Sequence, residues 1–133
     1  MSHLTIEYQS PSTMPPTHGY SQVVAFSGTG KMVMVSGQVS EDQQGNIVGK
    51  NNMEAQTHQI FKNIQMALEV AGGNLRHLVK LNTYLKDISQ IGIVRKVREQ
   101  YVNTGQPPTS TTVQVVLDDP DLLIEIEAWA IIP

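Results

Sequence analysis

The chain has 133 residues and a mass of 14.7 kDa, a length that favours a single domain spanning residues 1–133. Its formal net charge is −3 and it contains no cysteine, which argues against a strongly basic nucleic-acid-binding domain and excludes disulfides and cysteine-based metal or redox sites. No apolar run is long enough to span a membrane and the polar N-terminus lacks a signal-peptide layout, so the sequence predicts a cytoplasmic protein.

The N-terminal part of the chain predicts an extended arm followed by a β-hairpin. Three prolines within residues 10–18 favour extended chain, so we assign residues 1–18 to an N-terminal arm. Residues 22–27 and 32–37 are rich in Val, Phe and Met and flank a glycine turn at 28–30. This pattern predicts two strands paired as a hairpin.

The middle of the chain predicts a helix and a strand. Asn51 begins the helix, with Glu54 in a capping-box arrangement, and the glycine pair at 72–73 ends it. The strand covers residues 78–85. Apolar residues at helical spacing predict the buried face of the helix, namely Ile60, Ile64, Ala67, Leu68 and Ala71.

The last third predicts a second helix and two strands. Asp87 with Gln90 caps the helix and Gly105 ends it. The strands cover residues 111–116 and 122–132. The apolar positions of the second helix are Val94, Val97 and Tyr101.

Two helices are too few to cover both faces of the predicted sheet. Strand residues 32–35 and 113–116 are apolar on both sides, which is typical of strands buried on both faces. Charged residues make up only 16% of the chain, against about 25% in average domains. The sequence therefore predicts an α+β domain whose second sheet face associates with another copy. The alternative explanation for the low fraction of charged residues is that uncharged polar residues take their place on the surface.

Several short motifs occur in an order and spacing that resemble one known family, and they cover the chain from about Gly19 to Ile132. On these motifs the chain is similar to the RidA/YjgF superfamily of reactive-intermediate deaminases, also called the RutC or endoribonuclease L-PSP family. The motifs are Gly19-Tyr20-Ser21-Gln22, Ser36-Gly37-Gln38, Asn63, Ala67-Leu68-Glu69 with Ala71-Gly72, Val79-Lys80 and Ile124-Glu125-Ile126-Glu127-Ala128.

The resemblance implies a chorismate-mutase-like α+β fold with two helices packed on one face of a mixed sheet. It also implies a homotrimer that forms a barrel, with three small-molecule clefts between subunits. The implied reaction is hydrolysis of enamines and imines, such as 2-aminoacrylate, to keto acids and ammonia without a metal or cofactor.

Glu125 is the candidate catalytic residue. It lies in an apolar strand, and burial of a carboxylate raises its pKa toward the range useful for proton transfer. The resemblance assigns the first Glu of the Ile-Glu-Ile-Glu-Ala motif to activation of the attacking water. Glu127 shares the same strand face, and for both residues the alternative is that edge-strand charges prevent sheet-to-sheet pairing.

The resemblance also assigns binding roles. Tyr20 matches a tyrosine whose hydroxyl lines the cleft, and its alternative is a packed aromatic residue with a wet hydroxyl. Gly37 matches a glycine whose backbone approaches the substrate carboxylate, and its alternative is a turn at a strand end.

The chain departs from the family pattern at Ser110, where deaminating members carry an arginine that binds the substrate carboxylate. Serine supplies neither the charge nor the planar fork, so we expect weak or absent deamination of 2-aminoacrylate. Ser110 and Thr112 remain candidate binding residues of this segment. Arg95 is the most plausible substitute cation on the second helix, and a solvated helix face is its alternative.

Two functions follow from different classes of protein. The first is an enzyme that hydrolyses small imines or enamines, and the second is a protein that binds a metabolite in the same cleft without turnover. The acidic pI near 5.7 makes RNA cleavage the least favoured of the activities attached to relatives. The four histidines show no ligand spacing, so no metal site is predicted.

Overall fold

The computed structural model describes residues 3–133. In this range the chain forms six strands, two α-helices and two short 3₁₀ turns. The strands are β1 (Thr5–Gln9), β2 (Val23–Ser27), β3 (Lys31–Val39), β4 (Leu78–Leu85), β5 (Thr109–Gln114) and β6 (Ile124–Ile132); the helices are α1 (Met53–Val70) and α2 (Ile91–Arg98); the 3₁₀ turns cover Leu75–His77 and Ile88–Gln90.

Four strands form one mixed sheet in the order β3-β6-β4-β5. The β3–β6 and β6–β4 pairs are antiparallel, whereas β4 and β5 are parallel because α2 crosses over between them. This arrangement confirms the predicted α+β class with a mixed sheet. The last two strands each differ by two residues at their starts from the predicted bounds, β5 beginning at Thr109 and β6 at Ile124.

The predicted hairpin between the second and third strands is wrong. β2 pairs with β1 in a separate two-stranded antiparallel sheet, while β3 pairs with β6. β1 lies inside the segment assigned to the N-terminal arm, whose first two residues fall outside the described range. Gly28 explains the difference, because its left-handed backbone (φ +93°) lets the backbone of His3 approach so closely that a Cβ would overlap it. The start of β1 therefore packs on the turn, and β1 supplies the ladder partners of β2.

Local signals positioned α1 to within one residue. The N-cap is Asn52, whose side chain accepts a hydrogen bond from the Ala55 amide, rather than Asn51, which takes a left-handed conformation just before it. At the other end the amides of Gly72 and Gly73 donate to the carbonyls of Glu69 and Leu68. Gly72 has φ +90°, so the predicted glycine C-cap is confirmed as a Schellman motif.

The core lies between the two helices and one face of the four-stranded sheet. Ile60, Ile64 and Leu68 of α1 are fully buried against it, and Val94 and Val97 attach α2 to the same core. α2 ends at Arg98 rather than near Gly105, and Asp87 caps the 3₁₀ turn that leads into α2. The sheet residues that face this core include Leu81, Leu85, Ile124, Ile126, Ala128 and Ala130.

No helix among residues 3–133 covers the outer face of the same sheet. Met34 is 74% exposed in β3 and Val116 is 98% exposed just beyond β5, and Val113 is also exposed. This face is the uncovered apolar surface that the sequence predicts. Within residues 3–133 no helix has both the length and the apolar character needed to cross a bilayer.

Candidate functional site

The two glutamates of β6 point to the outer face of the sheet. Strand alternation turns Ile124 and Ile126 into the core, so Glu125 and Glu127 face the other way. The register places Glu125 opposite Tyr84 and Glu127 opposite Asn82 on β4. Both carboxylates therefore share one surface, but their surroundings differ.

Glu127 is held by hydrogen bonds from β4. The Tyr84 hydroxyl donates to Glu127 Oε1, and Asn82 Nδ2 donates to the same oxygen at 3.1 Å. The hydrogen bond from Tyr84 is the main reason that the pKa of Glu127 is lowered, and the bond from Asn82 adds to it. Glu127 therefore favours its ionised form, and its hydrogen bonds join β6 to β4, which suits a structural role.

Glu125 has no such donors. Among residues 3–133 no side chain or backbone amide donates a hydrogen bond to the Glu125 carboxylate. Burial raises its pKa first, and the negative charges of Asp118 and Glu127 raise it further. The carboxylate lines a cavity of about 290 Å³ together with Tyr84, Val115, Val116, Leu117 and Asp118. A partly buried carboxylate with a raised pKa and free lone pairs suits the exchange of a proton with water.

Gly37 lies directly against Glu125. A Cβ built on Gly37 would overlap the Glu125 carboxylate, so any side chain at position 37 would displace it. β3 has a register irregularity between Val35 and Gln38, where it passes this carboxylate. The structure therefore brings two predicted site residues together. The closeness of the Glu125 carboxylate explains why position 37 is a glycine, which the sequence alone does not show.

Four other predicted residues meet on the opposite side of the sheet. β5 pairs in parallel with β4 so that Ser110 lies beside Leu81 and Thr112 beside Thr83, both on the core-facing side. These hydroxyls open into a cavity of about 190 Å³ at the sheet edge. Its walls are His18, Tyr20, Ile91, Arg95, Arg98, Ser110 and Thr112.

The N-terminal segment reaches this cavity because Ser21 ties it to the strand that follows Pro108. The Ser21 amide donates to the Pro108 carbonyl at 3.1 Å, and its hydroxyl donates to the Pro107 carbonyl at 2.6 Å. These two hydrogen bonds hold the segment next to Tyr20, which is one of the residues that line the cavity.

Sequence reasoning missed Arg98. The sequence favours Arg95 as the substitute cation of α2, but Arg95 is exposed whereas Arg98 is only 7% exposed. Arg98 Nη1 donates to Ser110 Oγ at 3.4 Å, a long hydrogen bond. The available signal was position, since Arg98 follows Val94 by four residues and therefore shares the buried face of α2.

One protomer thus carries two separate groups of candidate site residues, which we call the two candidate half-sites. Glu125 and Gly37 lie on the outer face, while Tyr20, Arg95 and Ser110 lie on the core-facing side. No described cluster of three or more His, Asp or Glu side chains within residues 3–133 has the arrangement of a metal site.

Comparisons with known proteins identify relatives along almost the whole chain. The family model for endoribonuclease L-PSP matches residues 11–132. A RutC family protein of Saccharolobus solfataricus is 35% identical over 130 residues, which cover 98% of each protein. A RutC family protein of Synechocystis is 30% identical over 126 residues, covering 94% of this chain and 92% of that protein.

Solved structures of similar proteins share this fold. A protein of unknown function of the conserved Rid family from Yersinia pestis superposes with a TM-score of 0.82 at 29% identity, covering 94% of this chain and 97% of that one. RidA from an Antarctic Psychrobacter gives a TM-score of 0.71 at 29% identity, with coverage of 95% and 99%.

Proposed function

The chain belongs to the endoribonuclease L-PSP family, the RidA/YjgF superfamily, and from that premise we propose that it is a cytoplasmic hydrolase of small, reactive imines and enamines. The observation that carries this proposal is the state of Glu125. Its pKa is raised by burial and by neighbouring negative charges, and no described residue donates to its carboxylate. Free lone pairs on a carboxylate of raised pKa are what a general base for water requires.

The proposed reaction needs only water and proton transfer. The Glu125 carboxylate takes a proton from water as the water oxygen bonds to the imine carbon, and it passes this proton to the imine nitrogen. In the resulting carbinolamine the Glu125 carboxylate takes the hydroxyl proton and passes it to the amino group, which leaves as ammonia as the carbon–oxygen double bond forms. An enamine enters this sequence after protonation of its terminal carbon, which converts it to the imine.

The active assembly in this proposal is a homotrimer with one cleft at each subunit boundary. The exposed apolar outer face, with Met34 and Val116 as its most exposed members, supports association of identical chains. Within one protomer the half-site with Glu125 and the half-site with Ser110 lie on opposite sides of the sheet. Association that brings one half-site of each protomer against the other half-site of its neighbour completes the cleft.

Turnover tests the chemistry. Ammonia release from 2-aminoacrylate generated in situ is measured for the wild type, for Glu125→Gln and for an arginine-bearing relative. We expect release from 2-aminoacrylate to be weak or absent beside that of the arginine-bearing relative, and we expect any release by the wild type to depend on Glu125. Wild-type release equal to the uncatalysed background across a panel of imines and enamines contradicts the hydrolase proposal.

Light scattering tests the assembly. A trimer gives about three times the 14.7 kDa chain mass at micromolar concentration. A mass near that of one chain contradicts it.

The second candidate function is metabolite binding without turnover, and Ser110 is the observation that favours it. A serine hydroxyl holds a substrate carboxylate less firmly than a guanidinium, which lowers the expected efficiency of catalysis. Saturable binding of a keto acid by a protein that releases no ammonia would identify this second function.

A further inference from the structure

Arg98 is a buried guanidinium with no salt-bridge partner among residues 3–133. Its side chain is 7% exposed, and its Nε is buried without a hydrogen-bond partner among residues 3–133. Its only described side-chain bond is the 3.4 Å donation from Nη1 to the neutral hydroxyl of Ser110. A buried charge in this condition costs free energy unless an anion pairs with it.

The surroundings add positive charge rather than removing it. Burial lowers the pKa of Arg98 from its ordinary value, and the charge of Arg95 lowers it further, outweighing the opposite effect of Glu99. The cavity walls contain no carboxylate, since the residues beside the two arginines are His18, Tyr20, Ile91, Ser110 and Thr112. The cavity therefore combines two guanidinium groups with three hydroxyls, which is a set of hydrogen-bond donors suited to an anion.

The backbone leaves room beside the guanidinium. Gly19 has φ +80°, and a Cβ at this position would stand 3.1 Å from Arg98 Nη2. A side chain there would be strained and would crowd this edge of the guanidinium. The arm that carries Gly19 is fixed in place by the two hydrogen bonds from Ser21 to the Pro107-Pro108 segment.

We propose that Arg98 binds the carboxylate group of a small monocarboxylate ligand in this cavity, with Ser110 orienting the guanidinium. The planar donor edge of arginine matches a carboxylate, and a cavity of about 190 Å³ admits a ligand of only a few non-hydrogen atoms. The inference rests on the proposed function for the idea that this cavity is one half of the substrate cleft. It restricts the substrates to imino and enamino acids, and it moves the substituting cation from Arg95 to Arg98.

Direct binding tests the proposal without turnover. Pyruvate is titrated into the full-length protein while the side-chain Nε–H resonance of Arg98 is followed by ¹⁵N NMR. We expect a saturable shift of this resonance with pyruvate and a much smaller shift with pyruvamide, which has the same shape without the charge. Phosphate at equal concentration tests whether any anion suffices. An Arg98 resonance that does not move with pyruvate, or that moves equally with pyruvamide or with phosphate, overturns the proposal.

Matched variants give the size of the effect by calorimetry. Arg98→Met removes the buried charge, and we expect pyruvate affinity to fall about 10- to 100-fold, as for loss of hydrogen bonds to a charged group. Lys96→Met is the control, because Lys96 is an exposed cation on the same helix that lines a different cavity beside Glu54 and Gln100. Equal losses in the two variants would mean that general charge attracts the ligand, and this would overturn the role of Arg98.

Arg98→Lys keeps the charge without the planar fork and gives a second measurement if Arg98→Met does not fold. We expect intermediate affinity from Arg98→Lys, and wild-type affinity would contradict the geometric part of the proposal. The outcomes also separate this inference from the proposed function. Pyruvate binding that depends on Arg98, without ammonia release from any substrate, supports this inference and contradicts the proposed hydrolase activity. Ammonia release that Arg98→Met leaves unchanged supports the hydrolase activity and contradicts the role of Arg98.

Discussion

The two sides of the four-stranded sheet carry opposite charges at their candidate half-sites. On the outer side Glu125 is a partly buried carboxylate with a raised pKa, whereas on the core-facing side Arg98 is a buried guanidinium without a counter-ion. Each group on its own is costly to the fold, because burial penalises the charged form. Each side of the sheet lacks the group that the other supplies: the outer side has the candidate proton acceptor, Glu125, and the core-facing side has the proposed anion-binding group, Arg98.

A contrast on one strand sharpens this point. Glu125 and Glu127 are two residues apart on the same face, yet the pKa of one is raised and that of the other is lowered. The difference comes from β4, whose Tyr84 and Asn82 side chains donate to Glu127 alone. The proposed chemical role and the structural role therefore fall on adjacent outward positions of β6.

The largest expected effect separates these two glutamates. Glu125→Gln keeps the shape and removes the proton acceptor, so we expect turnover to fall about 100-fold or more, the usual scale of general acid–base catalysis. Glu127→Gln keeps a hydrogen-bond acceptor for Tyr84 and should change turnover far less. Steady-state ammonia release measures both. Full turnover in Glu125→Gln would leave Glu125 with a structural or binding role, and loss of the trimer in that variant would favour an interface role.

Mixing inactive subunits tests whether the two half-sites meet across a subunit boundary. Glu125→Gln and Arg98→Met chains are co-refolded in equal amounts and assayed against each parent. Random assembly leaves both groups intact in one cleft out of four, so we expect about a quarter of wild-type turnover, a gain of roughly 25-fold over the Glu125→Gln parent. Activity no higher than the mean of the parents would place both groups in the same protomer's site or outside any site.

A side chain at position 37 should disturb the outer half-site. Gly37→Ala places a Cβ where the Glu125 carboxylate lies, so we expect kcat to fall roughly 10-fold, the order expected from misplacing a catalytic group. Gly92→Ala is the matched control, because a Cβ at this helical position meets nothing within 4 Å and alanine favours the helix. Thermal unfolding of both variants shows whether a loss of turnover reflects loss of fold.

The smallest effect is on the free energy of unfolding as the pH changes. The pKa of Glu127 is lower in the fold than its ordinary value of 4.5, so its contribution to stability is complete above 4.5 and is lost as the pH falls through the lowered pKa. The pKa of Glu125 is raised, so it weakens the fold as the pH rises from 4.5 through the raised pKa.

We therefore expect Glu127→Gln to destabilise the protein at neutral pH and Glu125→Gln to leave it unchanged or more stable. Both differences should stay below about 1 kcal/mol, because the two side chains are partly solvated. Urea unfolding of each variant between about pH 3 and pH 8 measures how the free energy of unfolding changes with pH in each variant. Slopes of the same sign would contradict the division of roles between the two glutamates.

Local patterns accounted for much of the fold. The helical spacing of Ile60, Ile64 and Leu68 predicts the buried face of α1, and the glycine pair predicts its end, because both depend on residues close in the chain. The motif order also identified the family. The prediction that β2 and β3 pair as a hairpin was wrong because β2 pairs with β1, which lies farther away in the chain. The contact between His3 and Gly28 permits this pairing.

Periodicity and motifs on single strands were enough to predict the α+β class and the family, and to single out Glu125 as the candidate catalytic residue. Tertiary structure alone decided what surrounds each candidate. The sign of the pKa shift at Glu127 depends on a neighbouring strand in register, and the burial of Arg98 depends on how α2 meets β5 and the arm tied down by Ser21. The hydrogen bonds, burial and nearby charges of a side chain depend on residues distant in the chain. Its pKa and hydrogen-bonding state are therefore set only in the folded structure.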